Sequence, residues 1–248
     1  MTDAVIELEG VSKSFGGVTA NNNVSLAVPC GSITGLIGPN GSGKSTLFNS
    51  IVGYHRIDSG SIRFKGREIS RLSVPEIARL GLLRTFQTTR VYGKMTCLDN
   101  MLISEAQGKV GVLGMFAHRR KAAVDKSEGL LDFVGLYRKR FLHAGSLSFG
   151  QQKLLELAMA LMNEPEVLLL DEPTAGINPT LINGVIDRLT RANSEFGITL
   201  FIIEHNMRVI MSMASRIYCL AHGELLAAGN AESIRHDQRV IDAYLGAH

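Results

Sequence analysis

The apolar run Ile33-Thr34-Gly35-Leu36-Ile37 leads directly into Gly38-Pro39-Asn40-Gly41-Ser42-Gly43-Lys44-Ser45, and this junction constrains the chain more than any other feature. The octet matches G-x-x-x-x-G-K-[ST] in full and lies between a strand-like run and a helical pattern, the context the motif requires. Glycines let the backbone curl until successive N–H groups face a phosphate, and the start of the next helix adds a favourable dipole. Lys44 brings positive charge to the β- and γ-phosphates, and the Ser45 hydroxyl is placed to ligate Mg2+. Thr46 completes the expected nucleotide-binding stretch. Leu47, Phe48, Ile51 and Val52 share one face of the predicted helix, which Gly53 ends. A loop of this kind binds a nucleoside triphosphate.

Two more apolar runs, Val167 to Leu170 and Ile198 to Ile203, likewise do not alternate. Such runs fit strands buried on both faces, as in a parallel sheet covered by helices. Each ends in a polar cluster: Asp171-Glu172-Pro173 after the first, Glu204-His205 after the second. Ligands of open α/β sheets bind beyond the carboxyl ends of the strands, so parallel neighbours would bring these clusters to one edge. There Asp171 would hold Mg2+ directly or through water, since a carboxylate suits a hard cation. Glu172 is placed to orient or deprotonate an attacking water, which favours hydrolysis over transfer to another acceptor.

By contrast, Val5 to Glu9 and Val24 to Val28 alternate as half-buried antiparallel strands. Between about Phe86 and Glu156 the character turns helical, as in Cys97 to Ala106 and Ala122 to Leu136. The expected fold is α/β: a P-loop NTPase core with a mainly parallel sheet, an N-terminal antiparallel β subdomain and an inserted helical subdomain. It forms one composite domain over 1–248, with 1–86 and 157–248 as core and 87–156 as the insertion.

Composition narrows the setting. Apolar residues at 45% and charged residues at 20% exclude a disordered chain. A formal charge of +3 is too small a surplus for a dedicated nucleic-acid binder. No apolar run approaches the roughly 20 residues of a membrane span, and the first residues lack the basic start and apolar stretch of a signal peptide. Cys30, Cys97 and Cys219 are scattered and odd in number, which implies neither a disulfide framework nor a metal knuckle. A cytosolic globular chain is expected.

Leu147-Ser148-Phe149-Gly150-Gln151 resembles the Leu-Ser-Gly-Gly-Gln signature of the ATP-binding cassette (ABC) ATPases, and the resemblance covers nearly the whole chain. The resemblance implies that Ser148 and Gly150 contact the γ-phosphate bound to a second subunit, with Gln151 beside them among the nucleotide-binding residues. Phe149 departs from the pattern by replacing the first Gly, removing one flexible backbone position. It further implies that Gln87, in Arg-Thr-Phe-Gln, reaches Mg2+ and water, and that His205 hydrogen-bonds the γ-phosphate. Phe15, in Ser-Lys-Ser-Phe-Gly-Gly, stands where the family stacks an aromatic ring on adenine. Ala175-Gly176-Ile177-Asn178 falls at the family's D-loop, with Asn where many members carry Asp.

A signature on an inserted subdomain cannot reach its own phosphate loop, and the family's answer is a head-to-tail pair, identical or closely related, with two ATPs at the interface. With no span of its own, the chain would be a peripheral motor on the cytoplasmic face of the membrane. Its implied partners are a second ABC ATPase subunit, integral membrane permease subunits and, indirectly, a periplasmic or extracellular solute-binding protein, with no nucleic acid. Leu83 to Arg90, Glu172 to Pro179, Glu204 to Met207 and Ala243 to Gly246 are similar to the branched-chain (hydrophobic) amino acid uptake ATPases. Importers of urea or short amides belong to the same group. The alternatives are a soluble ABC-type ATPase acting on DNA or ribosomes and a P-loop GTPase, whose Asn-Lys-x-Asp reader is absent.

The remaining features have plainer readings. The basic clusters His118 to Lys121 and Arg138 to Arg140 read as solvated faces, Met207 and Met211 as core packing, and Glu232 to Leu245 as a short helix folding back.

Overall fold

The structure, a computed structural model, describes residues 4–85, 91–105 and 116–245. Contacts divide the chain into two compact units, Met1–Arg84 with Glu166–Pro173 and Thr190–His248, and Thr85–Pro165 with Thr174–Leu189.

The first unit holds two sheets. A long hairpin, β1 (Ala4–Phe15) and β2 (Val18–Pro29), pairs through β1 with β4 (Ser59–Phe64), which carries the short β5 (Arg67–Glu68), all antiparallel. Sequence alternation marks only part of the hairpin because register shifts between Leu8 and Val11 and on to Ser14 interrupt it. Each shift turns the next side chain to the opposite face. The second sheet runs β10-β9-β3-β8-β7-β6, from β3 (Ile33–Ile37), β6 (Leu82–Arg84), β7 (Val167–Asp171), β8 (Thr199–Ile203), β9 (Arg216–Ala221) and β10 (Glu224–Gly229). All its pairings are parallel except β9 with β10.

Every residue of β3, β7 and β8 is buried, as their unbroken apolar runs require. Helix α1 (Lys44–Ile51) lies in a core shared by both sheets: Leu47, Phe48 and Ile51 join Ile6, Val24 and Ile62 on one side and Leu36, Leu169 and Phe201 on the other. The Phe48 and Phe201 rings stand 4.8 Å apart. In the register, Leu36 and Asp171 both lie opposite Ile203, so β3, β8 and β7 end together. The expected convergence of strand ends is present.

The other helices of this unit are α2 (Val74–Arg79), α7 (Met207–Met213), α8 (Ala231–His236) and α9 (Gln238–Leu245). The tail thus forms two short helices rather than one. Val209 and Ile210 are the buried residues of α7, and Met207 and Met211 are only half-buried, which corrects their expected core role.

In the second unit α3 (Cys97–Ser104), α4 (Phe116–Phe133) and α5 (Phe149–Leu161) pack against one another. Helix α6 (Pro179–Phe196) carries residues of both units. The Arg138 to Arg140 cluster is not simply a solvated face, because Arg140 pairs with Glu128 at 2.9 Å and lies over the Tyr137 and Phe141 rings.

Candidate active site

The phosphate loop spans Gly38 to Gly43, between the end of β3 and the start of α1. Its backbone is one that only glycine adopts without strain: Gly38, Gly41 and Gly43 have φ of 147°, 78° and 96°. A Cβ on Gly38 would lie 2.1 Å from the Leu220 carbonyl oxygen, and one on Gly43 would lie 2.2 Å from that of Ala20. The loop is therefore clasped by β2 and β9. The Asn21 amide donates to the Gly43 carbonyl at 3.1 Å and Gly223 N–H donates to the Ser42 carbonyl at 3.2 Å.

Helix α1 has no side-chain cap and no acidic residue in its first turn. Helices α2, α3, α5, α7 and α8 all carry a capping box or a capping side chain. The first N–H groups of a helix have no intrahelical acceptor, so the Lys44, Ser45 and Thr46 turn offers donors and a positive dipole to an anion.

Lys44 is buried, and its Nζ donates to the carbonyls of Gly38 at 2.8 Å and Pro39 at 2.9 Å and to Ser42 Oγ at 3.3 Å. Burial pushes its pKa down, while the carboxylates of Glu172 and Asp171 oppose that shift. The ammonium thus rests on neutral oxygens where phosphate oxygens would bind it more strongly.

Asp171 ends β7 and is 1% exposed. Its Oδ2 accepts from Arg84 at 2.6 Å, and the same guanidinium donates to Asn49 Oδ1 at 2.5 Å and lies over the Phe48 ring. Asp171 Oδ1 has no hydrogen-bond partner among the described residues. Glu172 follows with a φ of 52°, a left-handed conformation uncommon for a side-chain-bearing residue, and its N–H donates to the Ile203 carbonyl at 2.9 Å. Such outliers persist where the surroundings over-determine them.

Glu172 Oε1 lies 2.6 Å from His205 Nε2, so the ends of β7 and β8 meet in a carboxylate–imidazole pair. Glu204, 2% exposed, accepts from the N–H groups of His205 at 2.9 Å and Asn206 at 3.1 Å and so fixes the turn carrying the imidazole.

Phe15 ends β1, is 43% exposed and meets His55 edge-on at 5.0 Å. An exposed ring face remains available for stacking. Gln87 lies outside the described residues.

In the second unit Ser148 caps α5. Its Oγ accepts from Gln151 N–H at 3.4 Å and its N–H donates to Gln151 Oε1 at 3.2 Å. Phe149 and Gly150 occupy the first helical turn, and neither has a positive φ. The position that the family fills with Gly is helical here and accepts Phe without strain. The Phe149 ring packs over Gly176, where a Cβ would come within 3.0 Å of it. Asn178 Oδ1 accepts from Thr180 N–H at 3.1 Å and so ends the D-loop at the start of α6.

Sequence reasoning gave no role to Arg84, Asn49 or Asn21, and named Glu204 only as part of the polar cluster after Ile203. Arg84 carried a signal, a charge at the end of the apolar Leu82-Leu83 strand, as did Asn21 to Asn23, a polar interruption of an alternating strand.

A glycine-formed loop with a buried lysine, at an edge where an Asp, a Glu and a His close two neighbouring strands, defines a P-loop nucleotide-binding ATPase cassette. Residues 21–175 match the family described as ABC transporter, and residues 224–248 match the branched-chain amino acid ATP-binding cassette transporter family. The chain belongs to the ABC transporter ATP-binding family and is an ATPase that binds nucleotide. It is 38% identical over 247 residues to the probable branched-chain amino acid transport ATP-binding protein LivG of Archaeoglobus fulgidus, covering 98% of this chain and 96% of that protein. A nucleotide-free ATP-binding cassette from an ABC transporter superposes with a TM-score of 0.87 at 32% identity, over 97% of this chain and 98% of that one. A dimeric bacterial ABC transporter cassette matches with a TM-score of 0.76 at 26% identity, over 91% of this chain and 98% of that one. Among the described residues no helix is long and apolar enough to cross a membrane.

Proposed function

We propose that this chain is the ATP-hydrolysing motor of an importer for branched-chain or other hydrophobic amino acids. The observation that carries the hydrolytic reading is the Glu172–His205 contact of 2.6 Å at the edge that also holds Lys44 and Asp171. Glu172 takes the proton of the attacking water, and His205 holds that carboxylate in place and reaches the γ-phosphate. Lys44 leaves the Gly38 and Pro39 carbonyls for the phosphate oxygens. The loop N–H groups of Asn40, Gly41, Ser42, Gly43, Lys44, Ser45 and Thr46 enclose the triphosphate, while Gly38 and Pro39, which has no N–H, shape the turn that presents them. Phe15 stacks on adenine.

The unpartnered, buried Oδ1 of Asp171 fits a ligand for Mg2+ or a hydrogen-bond acceptor for its bound water; the Ser45 hydroxyl and, by the family resemblance, Gln87 would complete the set. Mg2+ held by these residues would supply positive charge against that developing on the phosphates.

The helical unit, with Ser148, Gly150 and Gln151, is the inserted subdomain whose signature completes the site of a second cassette. ATP binding draws the pair together because each γ-phosphate adds contacts only in the closed state, and hydrolysis removes them. The pair sits on the cytoplasmic face beneath membrane permease subunits, which receive solute from a binding protein outside. The amino-acid class is supported by the match over 224–248 and by the relatives' names.

Copurification with the permease subunits, followed by ATPase assay in proteoliposomes, tests this reading. Stimulation by branched-chain amino acids with the cognate binding protein is expected. Stimulation by urea or short amides alone would overturn the solute class, and failure to associate with any permease would overturn the transport role.

A further inference from the structure

Helix α9 returns to the first residue of the phosphate loop, where Gly38 N–H donates to Tyr244 Oη at 2.8 Å. Both polar groups of Gly38 are thereby engaged, because its carbonyl accepts from Lys44 Nζ, also at 2.8 Å. Two contacts in series lead from the C-terminal helix to the phosphate-binding lysine.

The geometry leaves Gly38 little choice of partner. With φ of 147° and its Cα pressed towards the Leu220 carbonyl, its peptide is held against β9 and shielded from water. A buried N–H without an acceptor is costly, so the tyrosine hydroxyl satisfies a donor that the loop itself cannot. Tyr244 is itself half-buried, and burial raises its pKa to about 12, which keeps the hydroxyl neutral at any working pH. The helix bearing it is anchored independently. Val240 is buried, and the N–H groups of Val240 and Ile241 donate to the Asp237 carbonyl at 3.0 and 3.1 Å.

We propose that Tyr244 is a positioning residue for nucleotide binding, and that α9 acts as a latch fixing the Gly38 peptide and, through it, the orientation of the phosphate loop and the resting place of Lys44. The latch rests on the phosphate-loop reading and deepens it, making the C-terminal tail a determinant of ATP affinity rather than a passive cap. Losing the hydroxyl frees the Gly38 peptide to rotate, so part of the loop population departs from the binding-competent form and apparent affinity falls by that fraction.

The test uses the full chain with Tyr244→Phe, which keeps the ring and removes only the acceptor. Three readouts are taken: equilibrium ATP binding, single-turnover hydrolysis at saturating ATP, and hydrogen exchange at the Gly38 amide. A Kd for ATP raised about fivefold, saturated hydrolysis unchanged and faster Gly38 exchange are expected. Leu245→Ala, on the same helix but exposed, should behave as the parent chain. An unchanged Kd in Tyr244→Phe would overturn the latch, as would an equal loss of affinity in Leu245→Ala or a fall in saturated hydrolysis alone. Lys44→Ala separates the two claims: ATP binding lost there but intact in Tyr244→Phe defeats the latch alone, whereas binding intact in Lys44→Ala defeats the phosphate-loop reading.

Discussion

Replacing Arg84 by Met is expected to destabilise the nucleotide-free protein severely, and the size of the loss follows from what the guanidinium holds. Its two contacts, 2.6 Å to Asp171 Oδ2 and 2.5 Å to Asn49 Oδ1, tie the ends of β6 and β7 to α1. Asp171 is 1% exposed, so Met would leave a carboxylate buried with no counter-charge at Oδ2, beside an Oδ1 already unpartnered. Breaking one side of a buried pair in this way costs about 3–5 kcal/mol. For a chain of this length that lowers the melting midpoint by about 10 °C. Thermal and urea unfolding of the parent, Arg84→Met, Asp171→Asn and the double variant close a cycle that isolates the pair. The double variant should recover much of the single loss, because removing both charges removes the penalty. A loss under about 1 kcal/mol in Arg84→Met, or a double variant no better than the sum, would refute the reasoning.

Two further outcomes follow from the loop and its surroundings. Gly38→Ala sets a methyl 2.1 Å from the Leu220 carbonyl, so ATP binding should weaken by more than about tenfold, and calorimetry showing parental affinity would contradict the clasped-loop geometry. Tyr244 and Cys219, raised by burial to about 12 and about 11, hold their protons more tightly folded than unfolded. Their contribution to stability is complete below the unfolded values near 10 and 9 and is lost as pH climbs through about 11 to 12. The difference in tyrosine ultraviolet titration between the parent and Tyr244→Phe should therefore show a midpoint well above 10, and a difference midpoint near 10 would contradict the burial of that hydroxyl.

Much of the core was legible because its strands are buried on both faces. Ile33–Ile37, Val167–Asp171 and Thr199–Ile203 announce themselves by unbroken apolar runs, and their polar ends mark the edge where Asp171, Glu172 and His205 gather. The antiparallel sheet was only half legible. Bulges break the alternation of β1 and β2, and β5, two residues long, has no period to read. Strand β6 is three residues ending in Arg84, too short for a pattern and interrupted by the charge that makes it important.

The site's supporting residues were hidden for a different reason. Asn21, Asn49, Arg84 and Tyr244 act across 22 to 206 residues of sequence, and no local motif encodes a partner so far away. Phe149 shows the converse. Judged against a Gly-Gly pattern it departs from the family, yet its backbone is helical and its ring packs over Gly176.

The most direct measurement of the central claim is turnover by the Glu172→Gln variant in saturating ATP, with sedimentation of the same sample. The amide keeps the shape of the carboxylate but cannot accept the water's proton. Hydrolysis should fall by at least about 100-fold, ATP should remain bound, and a nucleotide-dependent pair of cassettes should accumulate. Hydrolysis at the parental rate would contradict the account.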